Sequence, residues 1–111
     1  MNFAIKQFTD RPSCDGSYHY RMMSDKGYVD FAISDDELSA YIWQTEGQEL
    51  EFLKELEHYA KNHNLKLTIP NVLSPRLQKI FEDNGYSMKE VPYMGDVIEL
   101  WSKENRGKDN L

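Results

Sequence analysis

The chain has 111 residues, a formal net charge of −6 and a hydrophobic fraction of 40%. Its length suits a single domain with one modest core. No apolar run is long enough to span a bilayer, and acids interleaved with bases and aromatics exclude the broad cationic surface that nucleic-acid backbones require.

In chain order, residues 3–8, FAIKQF, read as a first strand, whose open edge could pair with a second copy in a homodimer. The breaker cluster TDRPSCDGS follows as a loop and holds the single cysteine, Cys14. One cysteine makes no internal disulfide. MNFAIKQFTD carries neither a basic segment nor a continuous apolar one, so a reduced thiol in a cytoplasmic protein is expected. YHYRMM then alternates Tyr18, Tyr20 and Met22 against His19, Arg21 and Met23, the period of two of a half-buried strand. SDKG is a hairpin turn with Gly27 at a left-handed position. In the return strand YVDFAI, Val29, Phe31 and Ile33 share a face, and after SDDE the strand LSAYIW sets Leu38, Ala40 and Ile42 against Tyr41 and Trp43.

The period then changes. Phe52, Leu53, Leu56, Tyr59, Ala60 and His63 recur at spacings of three and four, the stripe of an amphipathic helix. LKLTI is a strand. SPRLQKIFEDNGY is a second helix with legible ends: Ser74 caps it, Pro75 suits its first turn and Gly85 suits the left-handed position past its end. Two further strands, SMKEVPY and DVIELW, flank a turn at MG, and the polar tail 102–111 is expected to fray. The fold expected is α+β: a mixed, mainly antiparallel sheet with two helices, in the order β-β-β-β-α-β-α-β-β over residues 1–101.

This order and two helix starts resemble the GNAT superfamily, the acyl-CoA-dependent N-acetyltransferases. In that family the fourth strand runs into a pyrophosphate-binding loop of the form Q/R-x-x-G-x-G/A, and Gln44, Thr45, Glu46, Gly47, Gln48 and Glu49 stand at those six places. SPRLQKIFEDNGY is similar to the family's segment Asn-x-x-Ala-x-x-Leu-Tyr-x-x-x-Gly-Phe, ending at Gly85 and Tyr86. The resemblance covers roughly residues 18–101 and departs by omitting the usual pair of helices between the first two strands. It implies acetyl transfer from acetyl-CoA to an amine. Trp43, Gln44, Thr45, Gly47, Gln48, Glu49, Ser74 and Phe81 would then hold the cofactor, with Glu37 as the candidate base.

The departures set a second reading beside the first. Glu49 stands where Gly or Ala is wanted, with Glu46 and Glu51 in the same turn, and two unit charges ~4 Å apart repel by ~1 kcal/mol in water or ~4 kcal/mol at an effective dielectric of about 20. Phe81 replaces the family's acidic tyrosine and donates no proton, and Ser74 replaces an asparagine. Thr45 and Gln48 also have the spacing of a capping box, which closes a helix start without any ligand. The alternative is therefore a non-catalytic binding or inhibitory module acting on a protein partner, and a short acidic chain of this kind could come from a mobile genetic element, where small inhibitors of host proteins are common. His58 and His63 are five apart and diverge on a helix, so no metal site is expected.

Overall fold

The structure, a computed structural model, describes residues 2–103. Its elements run β1 (Ala4–Gln7), β2 (Tyr18–Ser24), β3 (Gly27–Ser34), β4 (Glu37–Gln44), α1 (Glu49–Asn62), β5 (Lys66–Pro70), α2 (Pro75–Asp83), β6 (Ser87–Tyr93) and β7 (Asp96–Ser102). The class is α+β with mostly antiparallel strands and two helices, in the expected order. Of the expected tail, Ser102 ends β7, and the part beyond Lys103 lies outside the described residues. No helix among the described residues is long and apolar enough to cross a membrane. The backbone divides into two compact units, Met1–Leu67 and Thr68–Leu111.

The first unit is an antiparallel meander, β1 to β4, carrying α1. The turn between β2 and β3 sets Tyr20 opposite Phe31 and Met22 opposite Val29, so alternate residues of both strands face the same side. That side is the core. Phe31 touches Tyr59 of α1 at 5.7 Å between ring centroids, Phe3 touches Phe52 at 4.9 Å, and Met22, Leu38, Leu53 and Leu56 are fully buried. Burying each such side chain is worth about 1.5–3 kcal/mol. The helical stripe ends earlier than its spacing suggests, because His63 is the exposed C-cap residue of α1, stacked on Tyr59.

The alternation of β4 is broken by a bulge. Phe31 pairs with Ala40 while Asp30 pairs with Ile42, so Tyr41 has no partner opposite it. Leu38 and Ala40 face the core as expected, but the phase then inverts. Ile42 is turned to the open face and is 38% exposed, whereas Trp43 pairs with Val29 on the core side. Tyr41 and Trp43 therefore do not share the face that strict alternation gives them.

The second unit orders its strands β5, β7, β6, all antiparallel. Phe81 of α2 is fully buried and meets Tyr86 and Trp101 at 6.0 and 6.5 Å between centroids. The end of α2 follows its sequence closely: Gly85 has φ 93°, and its N–H and that of Tyr86 donate to the carbonyls of Glu82 and Phe81. This is a Schellman motif, and the Phe81–Tyr86 contact is its customary hydrophobic clasp.

Candidate functional site

Between β4 and α1 the chain must turn and then leave the first N–H groups of a helix facing outward. Thr45, Glu46, Gly47 and Gln48 make that turn. Glu46 and Gly47 have φ 43° and 89°, and the Gln48 N–H donates to the Thr45 carbonyl at 2.8 Å, the pattern of a type I′ turn. Glycine suits the second of these positions, because a side chain there is strained. Gly27, at φ 141°, holds the head of β3 against the same loop, where a Cβ would lie 1.9 Å from the Gln44 carbonyl oxygen.

The expected capping box does not form. Gln48 is the N-cap residue of α1, its side chain makes no capping hydrogen bond, and Thr45 lies outside the helix. The physical reason is a better acceptor one residue on. Glu49 folds its carboxylate back into the turn, accepting the Thr45 hydroxyl at 2.6 Å and the Gly47 N–H at 3.1 Å through one oxygen, Oε2. Thr45 and Glu49 are only 3% and 4% exposed. A carboxylate at the first helical residue is also favoured by the helix dipole.

Of the three acids expected to crowd the turn, Glu46 and Glu51 are exposed and Glu49 is inside. At Thr45 and Gly47 there is no place for an incoming pyrophosphate: their hydroxyl and N–H are committed to an internal anion, which the newcomer would have to displace and leave buried without those donors.

The other expected site residues have ordinary surroundings. Glu37 opens β4 opposite Ser34, and Gln44 closes it, exposed and opposite Tyr28. Trp43 is half-buried and donates its indole N–H to the Ala40 carbonyl at 3.2 Å. Residues 43–49 thus assemble in the first unit. Ser74 and Phe81 belong to the second, where the Ser74 hydroxyl accepts the Leu77 N–H at 3.3 Å as the N-cap of α2 and Phe81 is core. Among the described residues no group of three His, Cys, Asp or Glu side chains is placed to hold a metal ion.

A second polar arrangement lies on the face of the meander turned away from α1. Arg21 grips Asp30 with both arms, Nε to Oδ1 at 2.6 Å and a terminal nitrogen to Oδ2 at 3.0 Å, while its guanidinium lies 3.8 Å from the Tyr28 ring centroid. Asp30 is nearly buried, so the pair shields a charge that alone would be costly, and these bonds raise the Arg21 pKa. Beside it runs a hydrogen-bonded chain. The Ser17 hydroxyl donates to Asp15 Oδ1 at 2.6 Å and lies 3.2 Å from His19 Nε2, and His19 Nδ1 lies 2.9 Å from the Tyr41 hydroxyl.

Counting donors assigns the neutral ring a proton on Nε2, since the Ser17 hydrogen is already given to Asp15. The Ser17 hydroxyl and backbone N–H lower the Asp15 pKa, and burial, reinforced by Asp30, raises that of Tyr41. Tyr41 is therefore a donor at neutral pH. Ser17 is buried with its proton committed, which unsuits it as a nucleophile.

The alternation of YHYRMM and LSAYIW assigned His19, Arg21 and Tyr41 to strand faces but joined none of them to a partner, and so missed both groupings. The Arg21–Asp30 pair had a signal, because counting outward from the SDKG turn sets those residues opposite each other. The His19–Tyr41 bond had none, because it depends on the bulge.

Compared with models of protein families, with curated proteins and with solved structures, the chain matches none.

Proposed function

We propose that the chain is a non-catalytic module, similar in element order to the GNAT fold, that acts by binding a protein partner. The observation that carries this reading is the buried Glu49 carboxylate, which takes the hydroxyl and N–H of the turn that the resemblance assigns to a pyrophosphate. Three further points support it: Phe81 is a core ring with no proton to give, the Ser74 hydroxyl caps a helix, and the first unit presents an open face bearing Phe8, Tyr41 and Ile42, each more than a third exposed.

The test is thermal unfolding with and without millimolar acetyl-CoA, with coenzyme A and an unrelated nucleotide as controls. A ligand at 100 times its dissociation constant adds about 2.7 kcal/mol, which for a domain of this size is a shift of several degrees. The native chain is expected to show no shift specific to acetyl-CoA, while Glu49→Gly, which frees the turn, is expected to gain one. A specific shift in the native chain overturns the proposal and makes acetyl transfer to an amine the leading reading.

A further inference from the structure

The β6–β7 hairpin breaks three local rules within a few residues. Its two-residue turn, Met94–Gly95, has φ 49° and 79°, the type I′ geometry that favours Asn-Gly or Asp-Gly, yet the first place holds methionine. A non-glycine residue held there is strained. That same methionine is 88% exposed, with Tyr93 at 53% and Val97 at 56% beside it. Three pairs further down the ladder, and on the same face as the Pro92–Val97 pair, Glu90 stands opposite Glu99, a like-charge cross-strand pair, and neither carboxylate has an ion-pair partner among the described residues. The register puts Met88, Glu90 and Pro92 on one face with Val97, Glu99 and Trp101. At its inner end this face packs through Trp101 on Phe81, and toward the turn it is open.

Each violation weakens the isolated hairpin, and one kind of contact relieves the exposed methionine and the paired acids together. We propose that the tip of this hairpin is a docking element for a protein partner that offers an apolar pocket edged by lysine or arginine side chains. This deepens the reading above and rests on it. The pocket receives Met94 and Val97, and the cations on its edge answer Glu90 and Glu99. The acids disfavour the phosphate-bearing surfaces of nucleic acid and anionic lipid. They also disfavour a two-fold contact with a second copy, which would set Glu90 and Glu99 against themselves.

The test places a photoreactive benzoylphenylalanine at Val97 of the full chain, and in a second preparation at Ile42 on the open face of the meander. Both are irradiated in extract of the cells that make the protein. The expected result is one protein adduct from position 97, cross-linked within an apolar patch flanked by basic residues. Its yield should fall at least tenfold between about 0.05 and 1 M salt, where screening shortens from ~14 Å to ~3 Å. The adduct should be lost in Glu99→Lys and in Met94→Asn, although both substitutions should raise Tm by a few degrees by removing repulsion and turn strain. Opposite movement of stability and cross-linking excludes misfolding as the cause. An adduct from position 42 alone overturns this proposal and leaves the binding reading standing, whereas no adduct from either position overturns both. An adduct with a second copy, a lipid or a nucleic acid, or one indifferent to Glu99→Lys, also overturns it.

Discussion

At the start of α2 a serine hydroxyl accepts one backbone N–H, and proline follows in the first turn; at the start of α1 a glutamate reaches back past the N-cap to take a threonine hydroxyl and a glycine N–H. The first arrangement is local and half-exposed, and closes a helix without involving the rest of the unit. The second is buried, and β3 abuts it through Gly27. Both satisfy orphan donors, but only the α1 start does so with a full charge withdrawn from water. That demands a fixed cradle, so the α1 loop should be the more brittle of the two.

The sharpest way to break the comparison is at Gly27. A Cβ there lies 1.9 Å from backbone at a φ of 141°, so Gly27→Ala must move the Gln44–Thr45 segment or the head of β3. A loss of about 3 kcal/mol is expected, read as a lower urea midpoint at unchanged slope. A loss under about 0.5 kcal/mol would mean that the loop yields easily, and the brittleness argument would fail.

Next in size is Glu49→Ala, which leaves the Thr45 hydroxyl and Gly47 N–H buried without their acceptor. About 1–3 kcal/mol should be lost, and Glu49→Gln, which keeps a carbonyl oxygen, should lose less. Ser74→Ala at the other helix start should cost about 1 kcal/mol, and Ser74→Asp close to nothing. If Glu49→Ala proves no worse than Ser74→Ala by chemical denaturation, the two starts are energetically alike and the buried carboxylate is no special feature of the fold.

How far these features could be read beforehand follows the same division. Both ends of α2 were legible because Ser74, Pro75 and Gly85 each act within a few residues of themselves. The Val29 and Phe31 face was legible because period two survives in β3. In β4 the phase depends on one unpaired residue, Tyr41, and no local preference marks where a bulge falls, so Ile42 and Trp43 could not be assigned correctly. Glu49 was legible as an acid in the wrong place for a pyrophosphate. Its inward turn was not, since it depends on positive φ at Glu46, a residue with no preference for it. The capping box was the reasonable local reading, and the alternative acceptor outcompeted it.

The smallest effect comes from a third carboxylate, which acts as the solvated control for Glu49. Asp15 also accepts one hydroxyl and one backbone N–H, both from Ser17, at 2.6 and 3.0 Å, but it is exposed. Those bonds lower its pKa in the folded chain, so the stability they give is present above the unfolded value of 3.8 and is lost as pH falls through the lower folded value. Asp15→Asn should therefore leave Tm at pH 7 only slightly reduced and flatten the acid limb below about pH 4. Tyr41→Phe tests the far end of the same chain with the opposite sign. The raised Tyr41 pKa favours the fold below the phenol's ordinary value of 10.0 and loses that contribution as pH rises past the folded value, so beyond a small uniform loss from the missing bond to His19 the pH dependence should change in the alkaline limb alone. If Asp15→Asn instead lowers stability at neutral pH as much as Glu49→Ala does, burial is not what separates two carboxylates that share one donor set.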